Sequence, residues 1–231
     1  MTGAPGASYP RDLLVSVIET PRRILLASTS AHKLREMEAL LDGLSFQVLT
    51  AAALPSPLPT VQETGATFRE NACLKALSAA RAMAAAGEKN ILVLADDSGL
   101  VVHALNGAPG VRSSRFAGLT ACGARRDQAN TAVLLKRLEK VPDSRRTACF
   151  SCSLALAMNN RIILTASGSV SGRILKSSRG REGFGYDPVF LHIRSGRTLG
   201  EMSAVQKAEI SHRGRAMRRL RRALAELKLK P

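Results

Sequence analysis

The sequence predicts a mixed α/β fold built as a single domain. Short apolar runs alternate with segments whose apolar residues recur every three or four positions, the pattern of strands separated by helices. One run, Ile91 to Ala95, is apolar throughout, as in a strand covered on both faces of its sheet. The chain has 231 residues, 45% hydrophobic and 23% charged, enough apolar surface for one sizeable core and too much for a chain disordered throughout.

The elements follow in order. Residues 1–22 carry Gly, Pro and small polar residues without periodicity and are read as an extension outside a domain spanning 23–231. Ile24 to Ala27 is a compact strand; after Ser28, Thr29 and Ser30 comes a helix with Leu34, Met37, Leu40 and Leu41 on one face. Thr50 to Pro59 holds three prolines and reads as a loop. Thr67 with Glu70 three residues on forms a capping box that opens a second helix, and Gly87 closes it. The strand Ile91 to Ala95, a turn at 106–110 and a helix near 125–140 come next. Strands at 147–158, 162–170 and 188–193 and a basic C-terminal helix complete the chain, with no repeat and no linker.

Lys plus Arg number 34 against 18 Asp plus Glu, a net charge of +16, so the molecule attracts anions: nucleic acid, acidic membrane or phosphorylated small molecules. No stretch reaches the roughly 18 apolar residues of a spanning helix. The patch Leu13 to Ile18 is shorter than a secretory h-region, so a cytoplasmic location is expected. Cys149 and Cys152 form a Cys-x-x-Cys, but residues three apart on a strand face opposite ways, which argues against a redox pair or half a zinc site. The four histidines show no spacing for a transition-metal site.

Four segments carry chemistry. Ser28-Thr29-Ser30 with Lys33 lies at a strand-to-helix junction, where free N–H groups, hydroxyls and an ammonium suit a phosphate; plain N-capping is the alternative. Asp96-Asp97-Ser98-Gly99 puts two carboxylates at the end of a buried strand, costly unless a cation compensates, and hard oxygens favour Mg²⁺ or Mn²⁺; a turn is the alternative. Asn71 and Lys75 share a helix face behind Glu63-Thr64-Gly65, so an amide and an ammonium can reach one ligand. Gly183-Phe184-Gly185-Tyr186-Asp187-Pro188 places two aromatic rings and an acid in a Gly-rich loop, fit to stack on a flat ligand and accept from its edge.

These segments, with Gly107-Ala108-Pro109-Gly110, Ser114-Arg115 and Ser211-His212-Arg213-Gly214, occur in an order and spacing that resemble the inosine triphosphate pyrophosphatase family, of the Ham1 or RdgB type. The resemblance spans roughly residues 23–224. It implies an elongated two-lobed fold with a central mixed sheet and a cleft, a homodimer, and Mg²⁺-dependent hydrolysis of ITP, dITP and XTP to monophosphate and pyrophosphate. By motif, Asp97 looks like the general base, assisted by Lys75, and Glu63, Asp96 and Asp97 like metal-associated carboxylates. Ser28, Thr29, Ser30, Lys33, Asn71, Lys75 and Ser98 look like the phosphate site. Phe184, Gly185, Tyr186, Asp187, Lys207, His212 and Arg213 look like the base pocket. Two positions depart from the pattern: Ser30 stands where the family usually has Asn, and His103 where Asp is frequent.

The chemistry agrees, since phosphoanhydride cleavage needs charge neutralisation and a positioned water. Hypoxanthine and xanthine present an acceptor at position six, where adenine presents a donor, so Lys207, His212 and Arg213 would favour them. Two alternatives remain at the level of sequence. A related pyrophosphatase could act on other modified or standard nucleotides. The arginines at 213, 215, 218, 219, 221 and 222 could bind nucleic acid, but the apolar stripe Met217, Leu220, Leu224 and Leu227 marks a helix docked on the core, so any such affinity is expected to be weak and non-specific.

Overall fold

A computed structural model of the chain describes residues 23–28, 30–43, 46–88, 90–118 and 123–226. Seven strands form one sheet in the order β2-β1-β3-β4-β5-β6-β7. β1 (Arg23–Leu26) lies parallel to β2 (Gln47–Thr50) and to β3 (Leu92–Val102). From β3 onward β4 (Thr147–Met158), β5 (Arg161–Ile174), β6 (Phe190–His192) and β7 (Arg197–Thr198) are antiparallel in turn, so the sheet is mixed. The helices among the described residues are α1 (Ala31–Leu41), α2 (Phe68–Ala85), α3 (Gly123–Arg137), α4 (Ala204–Ile210) and α5 (His212–Glu226). None is long and apolar enough to cross a membrane. The expected extension 1–22 and Leu227 lie outside the described residues.

Strand alternation divides the core between the two faces of the sheet. On one face Ile24, Leu26, Leu92, Leu94, Leu154 and Leu156 meet Met37 and Leu41 of α1 and Met217, Leu220 and Leu224 of α5. On the other, Leu25, Val93, Ala95 and Ala155 meet Ala72, Ala76, Ala79, Ala80 and Met83 of α2, whose small side chains let the helix lie close to the strands. A third cluster joins the far ends of β3–β5 (Leu100, Val102, Phe150, Val170, Ile174) to Leu134 of α3, Phe190 and Leu199. β3 therefore serves two cores, Leu92–Ala95 one pair of layers and Leu100–Val102 another, and Asp96-Asp97-Ser98-Gly99 falls where they part.

Several elements differ from the sequence expectation. β3 does not end at Ala95: β4 pairs with it residue by residue from Val93↔Ala157 to Val102↔Ala148, so both aspartates are mid-strand and not in a turn. β2 and β7, of four and two residues, are too short to show a period of two. The expected strand from Pro188 opens instead with a single 3-10 turn at Asp187–Val189 before β6. The C-terminal helix is two, α4 and α5, parted at Ser211. The capping box of Thr67 and Glu70 is present, and Ser30 caps α1 by accepting from the Lys33 N–H at 3.5 Å.

The α5 arginines act as staples. Arg215 and Arg219 donate to the Ser169 and Ser167 carbonyls of β5, Arg218 to Ala208 and Glu209 at the end of α4, and Arg221 to Leu40 and Asp42 at the end of α1. They satisfy carbonyls that strand edges and helix ends leave open. Cys149 and Cys152 are free thiols, and burial pushes Cys152 up to about 12, the state of an inert core cysteine.

Candidate active site

Because successive strand residues face opposite ways, Asp96 and Asp97 point to different sides of β3 and do not share one environment. Asp97 faces α2. Its Oδ1 accepts from the Lys75 ammonium at 2.8 Å and its Oδ2 from the Asn71 amide at 3.4 Å. Lys75 also donates to Glu63 Oε1 at 3.2 Å, and Arg115 to Glu63 Oε2 at 2.5 Å. Asn71, fully buried, fixes the loop that carries Glu63: its Oδ1 accepts from the Gly65 N–H at 2.8 Å. The capping box sets where α2 begins, and hence where Asn71 and Lys75 fall.

The electrostatics of this side suit a base beside a cation. Burial pushes the Asp97 carboxyl above its ordinary range, and Lys75 opposes the shift only in part. Burial alone would lower Lys75, but Asp97, Asp96 and Glu63 outweigh it and keep the ammonium charged. Glu63, half-buried, is held below its usual range by Arg115 and Lys75 against the effect of burial. Among the described residues no group of three or more His, Cys, Asp or Glu side chains forms a closed metal cage.

Asp96 and Ser98 share the opposite face, toward α1 and α5. Asp96 Oδ2 accepts from Lys33 at 3.0 Å, from Arg213 at 3.2 Å and from the Ser98 hydroxyl at 3.3 Å. Burial would raise this carboxyl, but Lys33 and then Arg213 hold it well below the usual carboxylate range. Arg213 also donates to Ser98 at 3.0 Å and pairs with Glu36. Glu36 in turn accepts from Lys207 at 2.8 Å, and Lys207 donates to Asp187 at 2.7 Å. Asp187 accepts the Phe184 N–H at 2.8 Å; Gly183, at φ +76, lies where a Cβ would strike the Asp187 carboxylate. The Phe184 ring has Lys207 Nζ 4.5 Å from its centroid and the Arg213 guanidinium at 5.8 Å.

The structure thus brings Glu63, Asn71, Lys75 and Asp97 together on one side, and Lys33, Asp96, Ser98, Phe184, Asp187, Lys207 and Arg213 on the other. Ser28 lies beside them at the α1 start, where its hydroxyl accepts the Ser30 N–H at 3.3 Å; Thr29 lies outside the described residues. Two expected base-pocket rings point elsewhere. Tyr186 is buried in the third cluster and its hydroxyl donates to the Ser113 carbonyl at 2.8 Å, because that cluster offers both an apolar wall and a carbonyl. His212 stacks on Phe150 with centroids 4.8 Å apart, and burial pushes it well below its ordinary value, so it is not a cation. Gly185 is anchored through its N–H to Asp127 at 2.9 Å. Glu36 was missed by sequence reasoning, although it lies three residues after Lys33 and so on the same helix face.

Two lysines and an arginine thus lie over carboxylates on a strand between two cores. The model of the Ham1 family matches residues 24–223. The chain belongs to the Ham1 family. Similar relatives include the dITP/XTP pyrophosphatase of Geobacter sulfurreducens, 46% identical over 195 residues, covering 84% of this chain and 92% of that one. The dITP/XTP pyrophosphatase of Exiguobacterium sibiricum is 43% identical over 202 residues, covering 87% and 96%. Among solved structures, a HAM1 protein from Coxiella burnetii superposes with a TM-score of 0.75 at 40% identity, covering 88% of this chain and 98% of that one. The nucleoside-triphosphatase, dITP/XTP pyrophosphatase, from Mycobacterium abscessus gives 0.64 at 37% identity, covering 86% and 97%.

Proposed function

We propose that this Ham1 chain hydrolyses deaminated purine nucleoside triphosphates (dITP, ITP and XTP) to the monophosphate and pyrophosphate, with Mg²⁺, Mn²⁺ serving as a substitute. The observation that carries the reading is the division of labour across β3: a raised carboxyl, Asp97, against Lys75 on one face, and a set of held cations beside a half-buried ring on the other. Asp97 is the base that takes the proton of the attacking water, since a carboxyl raised toward neutrality is a stronger base. Lys75 and Lys33 neutralise charge on the polyphosphate, and the Ser28–Ser30 turn with Ser98 supplies further donors.

The donor set fits a divalent cation. Glu63 and Asp97 both reach Lys75 Nζ, so their hard oxygens converge, and Mg²⁺ is commonly held by one or two carboxylates plus substrate phosphates. Such an ion would supply charge neutralisation at the scissile anhydride. Asp96, facing away and engaged by Lys33 and Arg213, would serve as the anchor of those cations.

Base choice follows from a donor inventory. Lys207 has three N–H groups and spends two on Glu36 and Asp187. Among the described residues Arg213 Nε is buried without a partner. Both are ready to donate to a six-position oxygen, whereas an adenine amino group would meet them donor to donor. The homodimer expected of the family belongs to the same proposal and is read by sedimentation. Steady-state pyrophosphate release from ITP, XTP, GTP, ATP and UTP, with Mg²⁺ and with chelator, tests the function. Release that is Mg²⁺-dependent and strongest with ITP or XTP is expected; equal release from ATP, or none from any, would overturn the substrate class.

A further inference from the structure

His32, the second residue of α1, stacks on Phe184: the ring centroids are 5.2 Å apart and the planes 18° from parallel. Its Nδ1 is within 2.9 Å of Arg35 one turn on. The proposed phosphate role of Ser28, Ser30 and Lys33 does not require an imidazole at position 32. We propose that His32 is the second wall of the base slot, so that the purine is sandwiched between the His32 and Phe184 rings. The inference rests on the pyrophosphatase reading and adds a specificity-determining residue to it.

Two stacking layers of about 3.5 Å each need roughly 7 Å between the walls, so one neighbour of Phe184 must retreat by about 2 Å. Of the three side chains over or against the ring, Lys207 and Arg213 are 5% and 1% exposed and are tied by carboxylates. His32 is exposed, at the helix edge, and besides the ring stack its hydrogen-bond contact among the described residues is to an exposed arginine. It is the wall that yields. The imidazole keeps Phe184 covered when no base is present and offers a flat π surface once the base enters. A two-ring purine overlaps both walls more fully than a pyrimidine, so the slot adds a size preference to the donor reading at Lys207 and Arg213.

The chain contains no tryptophan, so His32→Trp places a lone indole reporter in the slot. Quenching of its fluorescence by inosine monophosphate, and none by inorganic pyrophosphate, is expected; equal quenching by both, or by neither, overturns the wall. Turnover adds a second reading. His32→Ala should raise the KM for ITP about tenfold with a smaller change in kcat, and His32→Phe should bring KM back toward the wild-type value. An unchanged KM in His32→Ala, or a loss confined to kcat, contradicts the proposal. Failure of the wild-type enzyme to hydrolyse ITP would instead sink the pyrophosphatase reading, and is distinguished by that control.

Discussion

Asp96 and Asp97 are neighbours in sequence and strangers in space, and their opposed pKa shifts show what that separation does. Asp96 is ion-paired in the fold and is held low; Asp97 is buried beside one lysine and is held high. From sequence the pair looks like two repelling carboxylates at a strand end, because nothing short of the β4 register reveals that the strand continues through them. Lys207 and Arg213, proposed to read the base, were legible only through the family resemblance, and Glu36, which holds both, was not seen at all. Arg213→Ala should lower kcat/KM for ITP much more than for ATP. The ratio of the two substrates in one preparation cancels any loss of folded protein, which matters because removing one partner of a buried ion-pair network costs about 3–5 kcal/mol. Equal losses would remove Arg213 from base recognition.

At the scale of elements, the helices that position the site were the most legible because their signals are local. The Thr67–Glu70 box and the spacing of Asn71 and Lys75 need no tertiary information, and both are in the structure. Thr67→Ala should cost about 1 kcal/mol by leaving first-turn N–H groups open, a fall in Tm of roughly 2–4 °C for a chain of this size. An unchanged Tm by calorimetry would mean that α2 is held by its alanine face alone. The short edge strands β2 and β7 were not legible, since four and two residues carry too little pattern to separate from loops. In sequence the C-terminal segment reads as a helix docked on the core, with a nucleic-acid face as the lesser alternative; what the sequence does not place is the β5 edge and the α1 and α4 ends, whose carbonyls Arg215, Arg218, Arg219 and Arg221 staple.

Across the whole molecule, the mixed α/β class was legible from alternation, while the parting of the core at Asp96–Gly99 required the third cluster. The same buried carboxylates set the response to acid. Asp96 and Glu36 have folded pKa values below their unfolded values of about 3.9 and 4.3. Their stabilisation is therefore present above that range and is lost as pH falls through the folded values. Tm should fall as pH drops below about 4, and Asp96→Asn should flatten that fall; an equally steep fall in the variant would dissociate Asp96 from acid stability. Asp97 has the opposite sign: its own ionisation takes stability from the fold as pH rises, and Asp97→Asn removes that cost together with the charged partner of Lys75. The same variant gives the most direct test of the claim that β3 separates chemistry from binding: turnover and equilibrium binding of ITP measured side by side. The division predicts turnover reduced by roughly 10²–10⁴-fold with binding retained. Retained turnover, or binding lost along with it, would contradict it.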